Sequence, residues 1–126
     1  IADAIGLGAA IDYVQALGLE AMEAHEQKLL SYATERLSEI PGLRIIGQAP
    51  RKTAILSFVI DGIHPSDLGS ILDQEGIAIR TGHHCTQPLM KRFGIPATAR
   101  ASFGVYNTLE EVDALYRSLV KAKEFF

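Results

Sequence analysis

Hydrophobic and polar positions change rhythm several times along this chain, and each change predicts an element. Residues 1–17, rich in Ala and Ile, predict a helix with Asp3 as N-cap and Gly18 as the residue that stops it. From Glu20 to Glu39, Met22, His25, Leu29, Tyr32/Ala33, Arg36/Leu37 and Ile40 recur at helical spacing. Glu23, Glu26, Gln27, Lys28 and Glu35 give that helix a solvent face, and Pro41-Gly42 ends it. The period then shortens. LRIIG (43–47) predicts a short strand and QAPRK (48–52) a turn-rich link. TAILSFVI (53–60), β-branched and nearly all apolar, predicts a buried central strand.

DGIHP breaks that strand, and Pro65 suits the first turn of a helix. SDLGSILDQEG follows, with Leu68, Ile71 and Leu72 on one face and Gly76 closing it. IAIR (77–80) predicts another strand, so RTGHHC (80–85) begins where a strand ends. Gln87 to Phe93 predicts a short helix with Pro88 at its start, and Gly94-Ile95-Pro96 a turn. TARASFGVY (98–106) predicts a final strand, its Ala99, Ala101 and Phe103 alternating against Arg100 and Ser102. Thr108 and Glu111 form a capping box that opens a last helix with an apolar stripe of Leu109, Val112, Leu115/Tyr116 and Leu119. Paired helices ahead of four short strands predict an α+β domain. Its small sheet should be mixed or antiparallel, with helices on one face.

Composition narrows the class. Hydrophobic residues at 48% and charged residues at 21% place the chain among globular proteins, and its length suits one domain over 1–126. A net charge of −3 and a pI near 5.8 leave no basic stripe for nucleic acid. No apolar run is long enough to span a membrane, and no signal peptide is visible. A single cysteine makes no internal disulfide, so nothing points to an oxidising compartment. The opening IADAIGLG, without Met and without a polar leader, reads as a segment of a longer polypeptide.

That cysteine, Cys85, closes the segment RTGHHC. An ordinary cysteine thiol has a pKa of about 8.5, and its thiolate is the nucleophile. Cations at Arg80, His83 and His84 would favour the thiolate, and Gly82 allows a positive φ and close approach of a substrate. A helix starting near Gln87 or Pro88 would aim N–H groups back at the sulfur. The competing reading is a small buried apolar residue. A metal site fits poorly: His83, His84 and Cys85 are consecutive and cannot all converge on one ion, and even with His64 no second cysteine completes a set. His25 reads as a packing or surface residue on a helix face. Arg100 sits on a strand between small apolar residues. Its head either reaches water or forks onto a carboxylate, and the half-buried setting favours a carboxylate receptor.

RTGHHCTQPLM, followed fifteen positions after the cysteine by RASFGVYNTLEEVD, resembles the C-terminal part of group II (SufS-type, NifS-like) cysteine desulfurases. These enzymes depend on pyridoxal 5′-phosphate. The resemblance covers essentially the whole chain, since IADAIGLGAAIDYVQALGLEAMEAHE matches the helical start of their C-terminal region. Group I relatives carry the cysteine on a longer loop of different sequence. Thr86 departs slightly, many relatives having Ala there.

The resemblance implies that Cys85 is the catalytic cysteine, which takes the sulfur of the cofactor-bound substrate and becomes a persulfide. It implies that Arg100 binds the substrate α-carboxylate. Arg80 would stand at the base of the cysteine loop, close to the active site and substrate-binding together with Arg100, with Gly82, His83 and His84 in the active-site loop. The separate roles of the two histidines stay open. The implied fold is the small C-terminal domain of fold-type I transferases. The cofactor's lysine and its other holders lie in a large upstream domain of the family. Lys28, Lys52, Lys91, Lys121 and Lys123 all fall outside the family's lysine motif, so pyridoxal phosphate is not expected on this chain alone, which should be inactive by itself. The implied partners are L-cysteine, a SufE/SufU-like sulfur acceptor serving iron–sulfur cluster assembly, and a second copy in a homodimer. The implied setting is the cytoplasm or an organellar stroma. Selenocysteine lyase activity, or a docking role without catalysis, are the alternatives. The family architecture also implies an exposed apolar face where the large domain would pack.

Overall fold

The computed structural model describes residues 1–126. Helix α1 (Ala2–Leu17) and helix α2 (Leu19–Ser38) are joined by Gly18 alone, whose φ of 86° lets the chain turn between them. Strands β1 (Leu43–Ile46) and β2 (Ile55–Ile60) follow, then α3 (Pro65–Gln74), β3 (Arg80–Gly82), α4 (Gln87–Phe93), β4 (Thr98–Ser102) and α5 (Leu109–Ala122). A single turn of 3₁₀ helix, Lys123–Phe125, ends the chain. The strands form one sheet in the order β1-β2-β4-β3, every pair antiparallel. The predicted α+β class and antiparallel sheet are therefore found.

One face of the sheet carries the core. Leu56, Phe58 and Ile60 of β2 and Ala99 and Ala101 of β4 point to it, as period-two alternation requires. Leu29, Ala33 and Leu37 of α2, Leu68 and Leu72 of α3, and Val112, Leu115 and Leu119 of α5 cover that face. Around the helices, Tyr32 and Arg36 of α2 both bond Asp113 of α5, at 2.9 and 3.1 Å. The Arg36 guanidinium also stacks 4.0 Å over the Tyr116 ring. His25 bonds the Asn107 carbonyl at 2.9 Å, bracing α2 against the entry to α5. Thr108 and Glu111 make the predicted capping box.

Four sequence expectations are corrected. Asp3 does not cap α1: the helix starts at Ala2, and Asp3 lies in its first turn, where a carboxylate suits the helix dipole. Strand β2 is central but buried on one face only. Ile55 is exposed and Ser57 and Val59 half-buried, because no helix covers the second face. The third strand is RTG, not IAIR. The Ile77 N–H bonds Leu72 O at 2.9 Å to close α3, and Ile77 and Ile79 pack on the core without pairing with β4. The last strand stops at Ser102, because Asn107 accepts from Gly104 N at 2.8 Å and turns the chain.

Helix α1 has no buried residue, and Ile5, Leu7, Ile11, Tyr13 and Leu17 are all exposed. An exposed apolar face is thus present. No helix is long and apolar enough to cross a membrane.

Candidate functional site

Strands β3 and β4 carry the candidate residues onto the sheet face that the helices leave open. Arg80 lies directly opposite Arg100, and Gly82 opposite Thr98. Residues paired this way share a face. Ser57 of β2 flanks Arg100 on its other side. Arg100 is half-buried and Arg80 exposed, and no carboxylate pairs with either. The Arg100 Nε is buried without a hydrogen-bond partner. Two guanidinium groups on one sheet face without an acid can receive an anion, and a carboxylate matches the fork geometry.

Residues 83–86 form the loop that leaves β3. Gly82 has φ 127°, open to glycine and strained for any other residue. His84 and Cys85 follow with φ of 53° and 58°. These are the chain's only non-glycine residues with positive φ. Strain of this kind persists only where surrounding contacts hold it. Two sets of contacts are present, one from each histidine, and they separate the two residues. The His83 Nδ1 accepts the Cys85 N–H at 3.1 Å, while the His83 carbonyl accepts from Thr86 N at 2.8 Å and Thr86 Oγ1 at 2.7 Å. His83 therefore braces the turn locally. His84 instead reaches back to the sheet, its Nε2 lying 2.9 Å from Thr98 Oγ1 and 3.2 Å from Thr98 O.

Cys85 is exposed, which removes the reading of it as a buried apolar filler. Burial holds the His84 pKa below its ordinary value, and Arg100, Arg80 and His83 push the same way against the Thr98 backbone bond. His84 is thus neutral near pH 7, contrary to the expectation that it lends the loop a positive charge. The cations at this face are Arg80 and Arg100.

The other candidates sit elsewhere. His64 caps α3, its Nδ1 accepting from Ser66 N at 3.2 Å. A groove of about 580 Å³ lies between Ile77–Ile79 and α5, and it includes none of the loop residues. The signal for Thr98 was present in the sequence: it shares the alternation that placed Arg100 and Ser102 on one face.

The family model for aminotransferase class-V matches residues 1–115. The chain belongs to that family. The class-V domain is 56% identical over 115 residues to a cysteine desulfurase of Synechococcus elongatus, covering 91% of this chain and 18% of that protein. It is 53% identical to a protein of Halalkalibacterium halodurans named as a probable cysteine desulfurase, covering 100% of this chain and 31% of that one. The fold superimposes on an apo cysteine desulfurase from Thermococcus onnurineus with a TM-score of 0.92 at 40% identity, over 98% of this chain and 31% of that one. A cysteine desulfurase from Escherichia coli, solved in an S-sulfonic acid form, gives a TM-score of 0.90 at 35% identity, over 97% of this chain and 30% of the other. The class-V chain described here thus spans less than a third of these relatives' length.

Pyridoxal phosphate, which the family implies, is not fitted by the residues present. The amines of Lys52, Lys121 and Lys123 bond Gly47, Glu75 and Pro41, and Lys28 and Lys91 lie on α2 and α4. The face between β3 and β4 offers guanidinium groups for an anion and no lysine amine.

Proposed function

We propose that this chain is the thiol-bearing, substrate-orienting part of a group II, SufS-type cysteine desulfurase. One observation carries the reading: Arg80 and Arg100 stand opposed without an acid, beside a loop that presents an exposed cysteine in a strained backbone. Relatives described as cysteine desulfurases over nearly the whole chain support it.

Arg100 takes the α-carboxylate of L-cysteine, and its half-buried position strengthens that bond. Arg80 adds a second positive charge to the face that receives the substrate anion. Cys85 Sγ then attacks the substrate Sγ. An S–S bond forms and the substrate Cβ–Sγ bond breaks. The carbon fragment keeps the bonding pair, gains a proton and leaves as L-alanine. Cys85 is left as a persulfide, whose outer sulfur passes to a SufE/SufU-like acceptor thiol for iron–sulfur cluster assembly. Holding the geometry of attack matters as much as ionisation. In this reading the enzyme works as a homodimer in the cytoplasm or a stroma. The cofactor is held by sequence other than these 126 residues, so the piece alone is inactive.

The test uses the pyridoxal phosphate-loaded enzyme that contains this chain, supplied with radiosulfur-labelled L-cysteine. Wild-type protein should acquire label on Cys85 that a reducing thiol releases, with alanine formed. Cys85→Ala should bind the cofactor and release no alanine from cysteine. Alanine release at the wild-type rate would end the assignment, and alanine release from selenocysteine alone would favour a lyase.

A further inference from the structure

We propose that Thr98 is a positioning residue for Cys85: its buried hydroxyl, bonded to the His84 ring, holds the two-residue left-handed turn that presents the thiol. This rests on the reading of Cys85 as the reacting group, but the structural relationship stands apart from it. Thr98 is 1% exposed, one of only two buried polar side chains in the chain. A hydroxyl buried so deeply needs a partner, and the His84 Nε2 at 2.9 Å is the one it has.

The bond does more than satisfy the hydroxyl. His84 and Cys85 are the two non-glycine residues held at positive φ. A β-carbon makes that region costly, so two in succession relax unless something outside the loop retains them. The Cys85 N–H bond to His83 spans two residues and cannot tie the loop to the fold. The His84–Thr98 contact spans fourteen residues and ends on a strand packed into the sheet. It is the side-chain bond that fixes the loop to the scaffold carrying Arg100, two residues along the same strand face from Thr98. One anchor thus sets the carboxylate receptor and the thiol in a common frame.

The geometry also assigns a tautomer. A proton on Nε2 is shared between the Thr98 hydroxyl oxygen, 2.9 Å away, and the Thr98 carbonyl, 3.2 Å away, which only accepts. The buried Nδ1 then carries a bare lone pair, consistent with its having no partner.

Thr98→Val and Thr98→Ser separate a positioning role from a packing role. Valine keeps the methyl group and volume and loses the hydroxyl. Serine keeps the hydroxyl and loses the methyl. The readouts are nitrogen shifts of the His84 ring and the intraresidue HN–Hα cross-peaks of His84 and Cys85, strong only when φ is positive, recorded on the full protein that contains this chain with its histidines and cysteines selectively labelled. Thr98→Val should shift the His84 ring nitrogens and move the loop population about fivefold away from positive φ, the effect of one neutral hydrogen bond. Thr98→Ser should restore both signals. Unchanged cross-peaks in Thr98→Val would overturn the proposal. So would a Thr98→Ser variant as disturbed as Thr98→Val, since the methyl would then be what matters. None of these signals depends on sulfur transfer, so failure here leaves the desulfurase reading intact, and the labelling experiment can fail without touching this one.

Discussion

Arg80 and Arg100 face each other across β3 and β4, two like charges in direct cross-strand register. Such a pair destabilises a sheet. It is kept here without any acid to offset it, while acids pair readily elsewhere, as Arg36 does with Glu39 and Asp113. Arg100→Gln should therefore raise resistance to denaturant, by up to about 1 kcal/mol. In the assembled enzyme the same change should raise KM for L-cysteine more than it lowers kcat, as loss of ground-state binding does. Urea titration and steady-state kinetics check the two halves. A less stable Arg100→Gln protein would mean that packing of the arginine stem outweighs the repulsion.

Acid should weaken the fold in two stages. His84 has a depressed pKa, mainly from burial, so the unfolded chain takes up its proton first as pH falls. Its contribution is complete above its ordinary value of 6.5 and fades below it. Asp113 is held low chiefly by the Tyr32 hydroxyl, then by Arg36, and Glu111 chiefly by Asn107 and then the Thr108 N–H. Their contributions are complete above ordinary values of 3.8 and 4.5 and are lost as pH falls past them. Denaturation midpoints followed from pH 7 to 3 should show both stages. His84→Gln should flatten the first and Asp113→Asn part of the second. An Asp113→Asn curve that falls as steeply as wild type would refute the second assignment.

The sequence made the element order legible because α2, α3 and α5 have one-sided apolar patterns and marked ends. Gly18, Pro65 and the Thr108–Glu111 box each stand at an observed boundary. It failed where propensity and pairing part company. Ile77 and Ile79 have strand character, yet the Ile77 N–H is spent on closing α3. β2 is apolar on both faces, and composition cannot say that only one is covered. Arg100 was visible as an odd arginine between alanines. The contrast between His83 and His84 was not, since it depends on Thr98 arriving from a strand fourteen residues away. The neutral state of His84 was hidden for the same reason: burial and two cross-strand arginines exist only in the folded chain.

Gly69 controls the strand that carries Arg80. It lies within α3, where alanine would normally help by about 1 kcal/mol. A β-carbon there would sit 2.8 Å from Thr81 Cγ2, closer than real contacts allow. Thr81 is the middle residue of the three-residue β3, so the clash presses on Arg80 and Gly82 together. Gly69→Ala should lower the melting temperature despite its helix propensity, and Gly69→Ala with Thr81→Ser should recover most of the loss. A Gly69→Ala protein more stable than wild type would show that α3 can shift without disturbing β3.

Cys85 occupies a left-handed backbone position with φ 58°. A residue with a β-carbon there costs about 1–2 kcal/mol. A glycine carries no such cost, though it loses more entropy on folding, by about 0.5–1 kcal/mol. Cys85→Ala keeps the strain and Cys85→Gly releases it, so Cys85→Gly should be the more stable of the two by about 0.5–1 kcal/mol. Both lack the thiol, and neither should acquire sulfur label in the assembled enzyme. Natural selection for stability alone would favour glycine at this position. The comparison measures what the fold gives up to hold a side chain here. Paired urea titrations of the two variants decide the matter: an alanine variant as stable as the glycine one would mean that the loop relaxes once the thiol is gone.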